Sequence, residues 1–206
     1  MKKGLQTKNT ILEIGLEMAS QLGLECVTIG ELAKQTQLSK SGLFAHFQSK
    51  ENLQIEILKY AGDDFTENVI VPALKTTSGI RRIFVLIQNW IDWGEKLTGG
   101  CIFVTASTEY ADRPGKVRDI LLHQQQVWIN CLERVAKSAV NVGEFRNDID
   151  SSQFAFDFYS MLLGLHYYHK LLHDDKLKER QETATQELLQ KYISPHIDLT
   201  KYSSQQ

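Results

Sequence analysis

Cysteine and proline are scarce: three of each occur in 206 residues. Cys26, Cys101 and Cys131 are odd in number, widely spaced and form no C-x-x-C pair, so neither a disulfide framework nor a structural zinc site is supported. A reducing, cytoplasmic setting fits this usage. A long apolar run is also missing. The most apolar stretch, 80–93, is broken by Arg81, Arg82, Gln88, Asn89 and Asp92, short of the roughly 20 residues that a membrane span needs. The N-terminus opens with two lysines but continues through Gln6, Lys8, Asn9 and Glu13 without the apolar region of a signal peptide. Charge of one sign is lacking as well, since 23 Lys and Arg face 25 Asp and Glu. Taken alone, that balance disfavours a polyanionic partner. Sustained alternation of apolar and polar residues is absent, which excludes a β architecture.

What is present is a helical period almost everywhere, so the expected fold is all-α with about nine helices. Ile11, Leu12, Gly15, Leu16, Met18, Ala19 and Leu22 form the apolar stripe of a first helix that Gly23 ends. Thr28 and Glu31 have the spacing of a capping box, so a second helix starts at about Ile29. Ser39 caps a third helix through Leu43 and Phe47, and Ser49 caps a fourth. Ser78 is the expected cap of a helix carrying Ile80, Ile83, Phe84, Ile87, Trp90 and Ile91. Gly99-Gly100 breaks the pattern, Pro114 precedes a long helix that Gly143 stops, and two further helices span about 152–172 and 176–193.

Short helices separated by a three- or four-residue turn are the pattern of a helix-turn-helix, whose second helix enters the DNA major groove. The stretch from Thr28 to Leu53, ending Leu43-Phe44-Ala45-His46-Phe47-Gln48-Ser49-Lys50-Glu51-Asn52-Leu53, resembles the signature of the TetR family of transcriptional repressors. The likeness extends to Gly99-Gly100-Cys101, Glu109, Arg113 to Arg118 and Gly143 to Asp150, and so covers nearly the whole chain. It implies a homodimer of nine-helix subunits that binds a palindromic operator and releases it when a small effector fills the C-terminal domain. The head is expected over 1–50, with its motif at about 28–47, and the effector-binding and dimerising body over 51–206. Ile29, Leu32, Ala33, Leu38, Leu43 and Phe47 are the expected motif core. Lys40, Ser41, Gly42 and Ala45 are placed to meet base edges, with Lys40 suited to guanine and Ala45 to a thymine methyl. Thr28, Ser39, His46 and Lys50 are placed to approach phosphates. Two residues depart from the family pattern: Gln37 stands where glycine is usual in the turn, and Phe44 replaces the more frequent tyrosine, leaving only apolar contact with the DNA backbone.

In the body, Trp90, Trp93, Cys101, Phe103, Tyr110, Trp128 and Cys131 are the candidate lining of a pocket for a largely apolar effector. By resemblance the last two long helices form the dimer interface, with Phe158, Met161, Leu162, Leu165, Leu188, Leu189 and Tyr192 as candidate contacts. Cys101 follows a glycine pair at a helix start, which opens a redox- or electrophile-sensing alternative. His166, His169 and His173 recur at helical steps without a Glu or Cys to complete a recognisable metal site, and no cofactor or metal is expected. No G-x-S-x-G, Walker loop, dinucleotide fingerprint or H-E-x-x-H occurs, so an enzyme is not expected. A helical protein-binding adaptor without DNA binding is the competing class. Residues 1–50 hold six Lys (2, 3, 8, 34, 40, 50) and four Glu (13, 17, 25, 31), so the overall balance conceals a mildly basic head on an acidic body.

Overall fold

The computed structural model describes residues 2–203, with side chains from Lys8 to Tyr202. Its α-helices are α1 (Lys2–Leu22), α2 (Ile29–Thr36), α3 (Lys40–Phe47), α4 (Lys50–Phe65), α5 (Val71–Leu74), α6 (Ile80–Lys96), α7 (Ile102–Tyr110), α8 (Lys116–Asn141), α9 (Ser151–Lys170), α10 (Leu177–Gln190) and α11 (Thr200–Ser203). Nine of these reach eight residues, and no strand occurs among the described residues; an isolated bridge joins Phe145 to Ile193. No described helix is long and apolar enough to cross a membrane.

Two compact units emerge: Met1–Glu67 with Asp92–Gln125, and Asn68–Ile91 with Gln126–Gln206. Within the first unit α4 packs along α1, and α7 packs on α1 and on the 3-10 turn Leu24–Cys26. The core of this unit gathers Ile11, Leu16, Ala19, Leu24, Val27, Leu32, Leu43, Phe47, Leu53, Ile57 and Leu58. Leu22, expected on the buried stripe of α1, is exposed at the end of its helix. Gly99 lets the chain pass against that same end: a Cβ there would lie 1.7 Å from the Ser20 carbonyl oxygen. In the second unit α9 packs on α10, and Phe145, Phe154 and Tyr192 form an aromatic cluster, with Phe154 and Tyr192 edge to face at 5.1 Å.

Local chemistry explains most of the helix ends. Asp150 caps α9 by accepting the amides of Ser152 and Gln153. The expected Ser78 cap of α6 is replaced by a distant one, in which Glu144 accepts the Ile80 amide at 2.6 Å and the Tyr202 hydroxyl at 2.8 Å. After α4 the chain passes through a π turn, Thr66–Ile70, before Pro72. Proline lacks the amide that a continuous α-helix would use there and crowds the preceding turn.

Candidate nucleic-acid interface

The helix-turn-helix is built by short-range hydrogen bonds. Thr28, in extended backbone, accepts the Glu31 amide on Oγ1 at 3.1 Å and so fixes the start of α2. The other half of the expected capping box gives way to an ion pair, with Glu31 accepting from Lys34 at 2.7 Å. At the far end of α2, Gln37 is left-handed, with φ 56° and ψ 21°. The turn therefore keeps a geometry that suits glycine while carrying a side chain. Left-handed backbone costs an L-residue roughly 1–2 kcal/mol, whereas glycine loses roughly 0.4–1 kcal/mol through the unfolded chain. Gln37→Gly should therefore gain about 0.5 kcal/mol and raise the melting temperature by roughly 1–2 °C, read by calorimetry.

Ser39 opens α3 by accepting the Gly42 amide on Oγ at 3.1 Å, and its hydroxyl lies 3.2 Å from that of Ser41. A Cβ on Gly42 would stand 3.1 Å from the same Oγ, so glycine leaves the cap undisturbed. Leu43 and Phe47 point into the core while Lys40, Ser41, Gly42, Phe44, Ala45 and His46 are exposed, Phe44 at 57%. α3 thus buries one narrow edge and presents the rest. Of the expected motif core, Leu32, Ala33, Leu43 and Phe47 are buried and Ile29 is half-buried. Leu38 is 40% exposed, because the left-handed Gln37 turns the chain just before it and leaves it in the connecting turn. Lys40 lies over the start of α2, with Nζ 3.9 Å from the position of a Gly30 Cβ.

Ser49 caps α4 by accepting the Asn52 amide at 3.0 Å, and Lys50 follows as the first residue of that helix. Its ammonium donates to Glu25 Oε1 at 2.6 Å. The second Glu25 oxygen accepts the Tyr110 hydroxyl at 2.8 Å and lies 3.4 Å from Arg113. Lys50 first and then the Tyr110 hydroxyl hold the Glu25 carboxyl below its ordinary range, against a smaller opposing effect of burial. Glu109, from α7, accepts the amides of Leu24 at 3.1 Å and Glu25 at 2.9 Å. Neither acid was singled out from sequence as acting beside the motif. Glu109 stood only in the resemblance, and the 25–50 and 24–109 separations carry no local signal.

The seven aromatic and cysteine residues expected to line one pocket are divided between the two units, each with its own packing. Trp93 stacks on Phe103 at 5.9 Å, meets Phe65 edge-on at 5.1 Å and donates its indole N–H to Asp64 at 2.6 Å. Cys101 is buried in this unit, and burial pushes its thiol up to about 11, against the direction in which a helix start would act. Tyr110 is committed to Glu25. In the other unit Trp90 meets His166 edge-on at 6.3 Å, Trp128 meets Tyr159 at 6.5 Å, and burial raises the Cys131 thiol. Burial lowers the His166 imidazole, and no three His, Cys, Asp or Glu side chains among the described residues are placed to hold a metal ion.

The residues expected at the dimer contact lie on α9, on α10 and just after it. Phe158, Leu162, Leu165, Leu188, Leu189 and Tyr192 are buried within the single chain and Met161 is half-buried, because they are the side chains by which α9 and α10 pack on each other and on their own unit. The large apolar and aromatic residues that α9 leaves exposed are Phe156, Leu163, Tyr167 and Tyr168, with Leu171 and Leu172 just beyond its end.

Residues 11–57 match the family described as bacterial regulatory proteins, tetR family, and residues 79–185 match the tetracyclin repressor-like C-terminal domain. Over 54 residues the chain is 39% identical to the HTH-type transcriptional regulator QacR of Staphylococcus aureus, a match covering 26% of this chain and 29% of that protein. The chain therefore spans under a third of that curated relative. A TetR transcriptional regulator from Chloroflexus aurantiacus has the same fold at 20% identity, over 94% of this chain and all of its own, with a TM-score of 0.82. AibR, solved with isovaleryl coenzyme A and operator DNA, aligns at 22% identity over 87% of this chain and 96% of its own, with a TM-score of 0.71. With the C-terminal match alone spanning more than half of its residues, the chain belongs to the TetR family of bacterial regulatory proteins.

Proposed function

We propose that the chain is a cytoplasmic transcriptional repressor, with the head over 1–50 and the effector-binding, dimerising body over 51–206. It binds a palindromic operator as a homodimer and leaves it when a small, largely apolar effector occupies the body. The observation that carries this reading is α3, which keeps Leu43 and Phe47 inside and turns Lys40, Ser41, Gly42, Phe44 and Ala45 outward beside a capped N-terminus. Such a helix offers short polar and apolar side chains to base edges without obstruction. Thr28, Ser39 and His46 flank it and suit phosphates, as do the amides at the starts of α2 and α3. A family relative solved with an acyl coenzyme A and operator DNA supports coupling of the two kinds of ligand. For the dimer, the exposed row Phe156, Leu163, Tyr167 and Leu171 extends the α9 and α10 surface expected from sequence. A two-fold operator calls for a symmetric surface of this kind.

The test is titration of the duplex from upstream of its own gene against a mixed-sequence duplex. Affinity should fall with a slope of about 0.9 in log K per log salt for each phosphate contact. Lys40→Ala should narrow the gap between the two duplexes by roughly 1–3 kcal/mol, leaving the salt slope in place. Salt-insensitive binding, or none, would favour the protein-binding adaptor.

A further inference from the structure

Glu25 sits in the turn Leu24–Cys26, within reach of the ammonium that the DNA-binding reading assigns to a phosphate. At 2.6 Å the Lys50 contact is a short charge-assisted hydrogen bond. An ordinary surface ion pair of two long side chains is weak, because ordering both offsets much of the attraction. Here one partner is positioned in advance. Glu109 accepts the Leu24 and Glu25 amides, and Gln54 on α4 donates to the Leu24 carbonyl at 2.9 Å. Gly23 has φ 88°, and a Cβ on it would stand 2.2 Å from Glu109 Oε1, so the glutamate is seated flush against the turn. Tyr110 and Arg113 then fix the second oxygen of Glu25. The carboxylate is thereby aimed at Lys50 by α4, α7 and the residues just after α7.

We propose that Glu25 is an affinity-setting residue, which holds the Lys50 ammonium in competition with a DNA phosphate. The proposal rests on the DNA-binding reading and adds a residue with the opposite sign of effect. Binding DNA requires Lys50 to leave Glu25 or to share its protons with it. Because Glu109 and Tyr110 both belong to α7, a shift of that helix relative to the turn would change how firmly Lys50 is held. The C-terminal end of α7 is therefore a point at which DNA affinity can be adjusted within this unit.

A double-mutant cycle tests it, with fluorescence anisotropy on a labelled mixed-sequence duplex, where phosphate contacts dominate. Glu25→Gln keeps the shape and amides of the turn but frees the ammonium. It should bind roughly two- to fivefold tighter per protomer, the range of an exposed ion pair. Its salt slope should steepen by up to about 0.9 per protomer. In a Lys50→Ala background the same substitution should change nothing. An unchanged or weakened affinity for Glu25→Gln at unchanged melting temperature would overturn the proposal. So would a gain that survives in Lys50→Ala, since that is the effect of removing any negative charge near DNA. Glu25→Ser is the second variant, read the same way if Glu25→Gln does not fold. A parent chain that binds no duplex at about 50 mM salt would overturn the DNA-binding reading beneath it, an outcome distinct from parent binding without a Glu25→Gln gain.

Discussion

A Phe47→Ala chain should lose about 3–5 kcal/mol, melt roughly 6–20 °C lower and bind no duplex, whereas Phe44→Ala should melt within about 0.5 kcal/mol of its parent. The two rings stand three residues apart on one helix with opposite surroundings, Phe47 at 2% exposure and Phe44 at 57%. Phe47 ends α3, just before Gln48 turns the chain with φ 63° and Ser49 starts α4. Deleting its ring leaves a hole in a core that also buries Leu32, Leu43 and Leu53 completely, and a close-packed interior cannot fill it without moving a helix. An eight-residue α3 has too few turns to persist once its tertiary contacts go. The loss should appear as a lowered unfolding transition in calorimetry. Phe44→Ala removes only a surface ring and should weaken DNA binding without that lowering. Equal melting of both variants would contradict the packing of α3.

The helix-turn-helix was legible because its determinants are local. Thr28, Ser39 and Ser49 each accept an amide three residues on, and the left-handed Gln37 follows from a glycine position filled by another residue. Contacts between distant segments were not legible. Nothing near Ile80 announces that Glu144, 64 residues later, will cap its helix, and the Glu25–Lys50–Tyr110 cluster joins three separate elements. Burial failed in two informative ways. Leu38 is apolar at the right spacing yet exposed, since hydrophobicity alone does not register which way a turn points. On α9 the apolar content is two-sided, and periodicity cannot say which stripe faces its own chain. The more continuous one, Phe154, Phe158, Leu162 and Leu165, is internal.

That two-sided helix leads to the second large effect. Introducing Phe156→Glu and Leu163→Glu together should convert the proposed homodimer to a monomer, by light scattering at micromolar protein, without lowering helicity. In α9 these residues lie on the side opposite Phe158, Leu162 and Leu165 and are respectively 66% and 37% exposed, so the single chain does not need them for its core. A two-fold interface presents each substitution twice, placing four carboxylates in an apolar patch where each loses water without gaining a partner. Joining two readers converts the second half-site contact into an intramolecular one. Its loss should lower operator affinity by roughly 10²–10⁴ while leaving the weak binding of one head. Leu162→Ala is the counter-test, because its side chain is fully buried and its removal should cost about 2–5 kcal/mol of fold stability instead. A double variant that stays dimeric would remove the exposed α9 row from the interface. Monomers that keep full operator affinity would separate DNA recognition from symmetry altogether.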